Sequence, residues 1–190
     1  MSTNRETLFR VYEGWDGYHQ SIVQAITPLT RAQLAWWPIA NLRSVGELVR
    51  HIALGRLDWF LRIDAPGSHA LAAQISEWEQ DPHGNQYVMD NAIPDPENIT
   101  DLVRWLEDTW DMIAQTLKTW TVDDLKKTYR HTWRGNTYAV SYQWTIWRIM
   151  AHDIHHGCEL AVMLGMQGLA SLELGDLGGH IIEPPVADAA

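Results

Sequence analysis

One cysteine, Cys158, is present among 190 residues. An intrachain disulfide and a thiolate-rich zinc site are thereby excluded. No apolar run approaches the roughly 20 residues needed to span a bilayer. The first residues, Met1 to Glu6, are polar and lack the apolar core of a secretory signal. Positive charge is also scarce: 14 Lys and Arg stand against 24 Asp and Glu, giving a net charge of −10 and a pI of about 5.2. Without a basic stripe, neither nucleic acid nor an anionic membrane surface is a fitting partner. The expectation is a cytoplasmic protein.

What is present suits a folded domain. Hydrophobic residues make up 46% and charged residues 20%, enough for a single domain over 1–190 with one sizeable core. Eleven tryptophans are many for this length. Each combines a large apolar area with one N–H donor, which favours core seams and pocket walls.

Apolar residues recur at three- and four-residue spacing in four stretches, predicting long helices near 5–27, 44–65, 96–120 and 141–165. Leu8, Val11, Trp15, Tyr18 and Ile22 mark the first, which Pro28 ends. The second opens on Ser44-x-x-Glu47, a capping box. Asp95 is the expected N-cap of the third, with Pro96 in its first turn. The stretch between the second and third reads as a long connection with one short helix. Thr121 to Leu125 reads as a short helical turn. β-branched and aromatic residues flank Arg134-Gly135-Asn136, predicting a small hairpin near 128–140. Residues 166–190 are expected to form a loop-rich C-terminal segment with a frayed end. The fold class expected is all-α, a four-helix bundle with a long crossover connection.

The fourth helix carries His152-Asp153-Ile154-His155-His156-Gly157-Cys158-Glu159-Leu160. Two pairs are in reach of one another, 152/156 and 152/155. The i,i+4 pair is favoured because both side chains then project from one face, each offering a neutral nitrogen ligand. His51 lies at the edge of the second helix's apolar stripe, beside Glu47, Gly55 and Asp58. Three histidines on two helices suit an open metal site that keeps a position for water or substrate. Gly55, one turn on from His51, can leave room for an ion or ligand. His155 is expected to point elsewhere. Cys158 is expected to be a packing residue, because an i+2 residue on a helix points away from His156. His19, His69, His83, His131 and His180 match no motif, although His19 borders the core stripe of the first helix.

The candidates for chemistry beside the histidines are Glu159, Asp58 and Arg148. Glu159 and Asp58 each lie a turn or two from a histidine on the same face and can orient an imidazole, the alternative being a surface carboxylate. Arg148 is expected to pair with a surface carboxylate, with an anionic substrate as the alternative. Trp144 and Trp147 are expected either to wall a pocket or to pack in the core.

Ser44-Val45-Gly46-Glu47-Leu48-Val49-Arg50-His51 resembles the second-helix motif of the DinB/YfiT-like superfamily, and the segment from His152 to Leu160 resembles its H-x-x-H-H-[RG]-G-[QE]-[LIM] motif. The order of features along nearly the whole chain is similar as well. Cys158 stands where glycine is common. The resemblance implies an up-down-down-up four-helix bundle, a divalent metal held by His51, His152 and His156, and a homodimer. A surplus of Trp and Leu over what one bundle seam requires points the same way on the dimer. Zinc or nickel is the expected ion, with iron and manganese accepting the same donors. Relatives include thiol S-transferases that use a low-molecular-weight thiol. The function implied is therefore a metal-dependent transferase that joins such a thiol to a small electrophile. A metal-dependent hydrolase and a non-enzymatic, stress-related metal-binding dimer are the alternatives.

Overall fold

The computed structural model describes residues 7–93, 95–170 and 172. The described chain is mostly helical: α1 (Trp15–Ile26), α2 (Arg31–Leu34), α3 (Val45–Leu61), α4 (Ser68–Ala72), α5 (Ile99–Thr119) and α6 (Tyr142–Met166). Two antiparallel hairpins are added, β1 (Trp78–Gln80) with β2 (Gln86–Val88) and β3 (Thr128–Trp133) with β4 (Asn136–Ser141). Helix α3 packs against both α5 and α6, and α1 packs against the same two. Much of the core between them is aliphatic, with Ile22, Ile52, Leu57, Leu102, Leu106, Ile146 and Ile149 wholly buried.

The first expected helix is broken. Leu8–Arg10 forms a short 3-10 turn and α1 starts only at Trp15. Between them Gly14 sits at φ 98°, a left-handed conformation that interrupts any helix passing through it. Residues 5 and 6 of that expected helix lie outside the described residues.

Helix α3 starts as its capping box requires. Ser44 accepts from the Glu47 N–H, and Glu47 accepts from the Ser44 N–H at 2.7 Å. Helix α5 starts later than expected, and Asn98, not Asp95, is its N-cap. Asp95 instead accepts from the Glu97 N–H at 2.9 Å and pairs with Arg31, so its carboxylate closes the turn before the helix. Ser141 caps α6 by accepting from the Trp144 N–H.

The connection between α3 and α5 holds the expected short helix, α4, and also the hairpin β1–β2, which its weak periodicity did not reveal. The expected hairpin near 128–140 is present as β3–β4, with Trp133 opposite Asn136 and Thr128 opposite Ser141. Arg134 and Gly135 both have positive φ, 49° and 79°, the backbone of a two-residue turn that matches strand twist. Asp124–Lys126 forms a 3-10 turn in place of the one expected at Thr121 to Leu125. The expected C-terminal loop lies outside the described residues beyond 172. Among the described residues no helix is long and apolar enough to cross a membrane.

Candidate metal centre

Helices α3 and α6 run antiparallel, and their facing residues step past one another four at a time. His51 lies beside His152 and His156, Gly55 lies beside His152, and Trp59 lies beside Trp144 and Arg148. A Cβ added at Gly55 would sit 2.7 Å from Cε1 of His152. The space that glycine opens is thus filled by the His152 ring itself. The absence of a side chain on α3 is what lets a ring on α6 reach His51.

The three imidazoles form one cluster. Ring centroids are 5.0 Å apart for His51 and His152, 4.7 Å for His51 and His156, and 4.4 Å for His152 and His156. One ligand atom from each lies within 4.8 Å of the other two. Two of the three outer nitrogens are held from behind. Nδ1 of His51 lies 2.8 Å from Oδ1 of Asp90, and Nδ1 of His156 lies 2.7 Å from Oε2 of Glu159. A carboxylate can only accept, so both rings carry their proton on Nδ1 and turn a bare Nε2 into the cluster.

His152 completes the case for an ion. Its Nε2 is 3.2 Å from Nε2 of His51. Without an ion those two atoms can share only one N–H···N bond. His152 must then donate through Nε2, and its buried Nδ1 keeps a lone pair that no donor meets. That lone pair faces Oδ1 of Asp153 at 4.0 Å, acceptor against acceptor. With an ion between the Nε2 atoms, His152 carries its proton on Nδ1, toward Asp153. Two nitrogens bound tetrahedrally at about 2.0–2.1 Å lie about 3.3–3.4 Å apart, close to the separation found here. The donor set therefore fits a divalent ion.

Electrostatics favour the neutral, ligating form of His152 and His156. Burial lowers the pKa of His152, with His51 and Arg148 adding to the effect and Asp153 opposing it. Burial pushes His156 down to about 4, against its hydrogen bond to Glu159. Burial alone would raise Asp90, but its bonds to His51 and Arg43 outweigh that and hold it below the ordinary carboxylate range.

Behind the cluster runs a buried polar chain. Asp153, fully buried, accepts from Trp15 Nε1 at 2.9 Å and from Arg56 Nε at 3.1 and 3.0 Å. Arg56, equally buried, also donates to Nδ1 of His19 at 3.2 Å and to the carbonyl of Leu106. Since Arg56 can only donate, His19 holds its proton on Nε2 and gives it to Glu107 at 3.1 Å. Burial, reinforced by Arg56, pushes His19 down to about 3, so this contact joins a neutral imidazole to a carboxylate.

Several expectations need correction. Asp58 does not orient a clustered histidine. Its carboxylate is bound by Arg62 at 2.9 and 3.0 Å, one turn along α3. Arg148 makes no carboxylate ion pair among the described residues, and its guanidinium lies over the rings of Trp59 and Trp144, 4.4 and 5.5 Å from their centroids. Trp144 lines a cavity there, whereas Trp147 is 60% exposed and lines nothing described. Cys158 is exposed, not packed. The i+2 geometry does turn it from His156, but to the surface and not into the core. His155 is exposed and its Nε2 lies 3.3 Å from Oε1 of Glu159. It thus stays outside the three-histidine cluster, although His155, His156 and Glu159 form a second, shallower group of ligand atoms.

Asp90, Asp153, Arg56 and His19 were not singled out for the site. Asp90 reaches His51 from a 3-10 turn 39 residues away, and no local pattern announces that. Asp153 and Arg56 did carry a signal. Asp153 shares a stripe with Ile149, His156 and Leu160, and Arg56 one with Ile52 and Phe60. Charges of opposite sign in the core stripes of two helices imply a buried pair.

The family model described as the DinB superfamily matches residues 16–160. The chain belongs to the DinB superfamily. Its fold is similar to the crystal structure, at 2.01 Å resolution, of a DinB-like protein from Bacillus cereus ATCC 10987. The likeness has a TM-score of 0.62 at 14% identity and covers 90% of this chain and 99% of that one. No curated protein matches the chain.

Proposed function

We propose that this DinB-superfamily protein is a divalent-metal-dependent enzyme of the thiol S-transferase type, acting on small electrophiles from a four-helix bundle. The observation that carries the reading is the convergence of three imidazoles, two of them held at Nδ1 by Asp90 and Glu159. His51, His152 and His156 would hold the ion, with zinc or nickel the best fit and iron or manganese accepting the same donors. When bound, such an ion supplies the Lewis acidity that favours the deprotonated, nucleophilic form of a thiol.

The chain's own groups set the stage for that step. Asp90 and Glu159 each hold a proton at Nδ1 of their histidine, which fixes ring orientation and raises ligand basicity. Gly55 makes room for the His152 ring, and the buried Asp153–Arg56 pair anchors the helix turn that presents it. In the reaction, the thiol sulfur attacks an electrophilic carbon and a C–S bond forms. The leaving group departs with its electron pair, and the thiol proton passes to solvent.

A homodimer in the cytoplasm is part of the same reading. It is supported by an apolar stripe of Trp147, Ile154, Val162 and Met166, all exposed, on α6.

Protein purified without an affinity tag or added metal is expected to carry close to one transition-metal ion per chain by elemental analysis. His152→Ala is expected to lose that ion and any thiol-depleting activity while keeping a cooperative helical melt by circular dichroism. A variant that retains full metal occupancy would remove His152 from the ligand set and overturn the reading.

A further inference from the structure

A second site lies along the same α3–α6 seam, beyond the histidines. The β3–β4 hairpin folds over this end of the seam and closes a cavity of about 630 Å³. Its walls are Trp59, His131, Trp133, Tyr138, Trp144 and Arg148, completed by β4 backbone and small side chains. That volume is in the range that holds small organic ligands, roughly 300–1,000 Å³.

Charge in the cavity is unusual for this molecule. The chain as a whole carries −10, yet no Asp or Glu lines the cavity. Asp58, whose charge acts on both Arg148 and His131, is already paired with Arg62 at 2.9 Å. His131 is kept neutral by burial and by Arg62. Arg148 is thus the one formal charge in the lining. It has no carboxylate partner among the described residues. Its guanidinium is held over two indole rings, and its N–H donors meet no hydrogen-bond acceptor among the described residues. Such a fork binds a carboxylate with two parallel hydrogen bonds. The aromatic walls suit a flat apolar body beside it.

Position links the cavity to the histidines. Arg148 is one helical turn before His152, about 6 Å along the axis, and Trp59 is one turn beyond Gly55, which touches His152. A ligand anchored at Arg148 therefore extends along the seam toward the cluster.

We propose that this cavity is the subsite for a flat, apolar carboxylate, bound through Arg148 and lying against the indole wall that Trp59 and Trp144 form together. Its service as a substrate subsite rests on the metal-enzyme reading above; the binding itself does not.

The test uses 1-naphthoate and its neutral amide, 1-naphthamide, titrated calorimetrically into the full chain, both treated with chelator and loaded with zinc. Saturable naphthoate binding to both forms is expected, weakened at least tenfold by Arg148→Gln. Naphthamide is expected to bind wild type and Arg148→Gln alike, which also reports that the variant's cavity is intact. Trp144→Ala is expected to weaken both ligands. Absence of saturable naphthoate binding, or equal naphthoate affinity in Arg148→Gln, overturns the proposal. Binding that appears only with zinc also overturns it, since the carboxylate then goes to the ion. Zinc titration without naphthoate judges the metal reading separately, so either can fail alone.

Discussion

A ligating imidazole is only as good as the atom behind it. His51 and His156 have their Nδ1 protons fixed by Asp90 and Glu159, and His152 has its ring seated over Gly55. Removing a carboxylate that orients a ligating histidine typically costs roughly 10–100-fold in metal affinity. Asp90→Ala is therefore expected to weaken zinc binding by about that factor in a competitive chelator titration, with helicity unchanged. Affinity within about twofold of wild type would mean that Asp90 serves only Arg43, its other partner at 2.8 Å. His152, His156 and Glu159 were legible in the sequence because helical spacing places them on one stripe of α6, and His51 because it edges the apolar stripe of α3 within a family-like motif. Asp90 was not, because its approach to His51 is set by how the long connection folds back. Asp58 misled for the converse reason: its spacing from His51 is right, but Arg62 one turn on claims it first. Cys158 shows that geometry can give a residue's direction without telling what lies there.

At the scale of elements, the four long helices were legible wherever apolar spacing coincided with a cap, as at Ser44-x-x-Glu47. They failed at Gly14, where the pattern continues across a break that only backbone conformation enforces. The buried chain linking α1, α3, α5 and α6 through His19, Arg56, Asp153 and Glu107 was missed as a unit, since its members sit on four segments. It makes the helix packing sensitive to pH. His19 has a folded-state pKa of about 3, below its ordinary value of 6.5. Between those values the unfolded chain binds a proton that the folded chain refuses. Its contribution to stability is complete above pH 6.5 and is lost as the pH falls toward 3, at about 1.4 kcal/mol per pH unit. His19→Gln can still accept from Arg56 and donate to Glu107 but does not titrate. In urea unfolding, the drop in stability from pH 6.5 to 5 is expected to be about 2 kcal/mol smaller in the variant. The comparison with wild type is essential, because His131, His152 and His156 are also lowered and titrate in both proteins. Identical slopes would show that His19 is protonated in the folded state.

The whole molecule has two working sides on α6. One faces α3 and carries Trp144, Arg148, His152 and His156. The other carries Trp147, Ile154, Cys158, Val162 and Met166, which recur at seven- and four-residue steps and therefore form one stripe. Each of the four apolar members is exposed, Val162 and Met166 by 63% and 61%. Single exposed apolar residues are ordinary, but a stripe along a 25-residue helix is a surface that a second copy can cover by two-fold symmetry, each α6 lying against the other. A charge placed in this stripe would be buried without a partner in an apolar interface. Val162→Asp is therefore expected to halve the mass seen by light scattering, from a dimer to the 21.8 kDa chain, at micromolar concentration. Because Val162 packs against nothing within its own chain's core, the substitution is expected to change monomer stability by no more than about 0.5 kcal/mol. A wild-type protein that is monomeric across micromolar concentrations would refute the dimer. A Val162→Asp protein that remains dimeric would move the interface away from α6. Val162 is outside the cluster of His51, His152 and His156, so zinc binding by the monomeric variant should match wild type, which separates assembly from the histidine site.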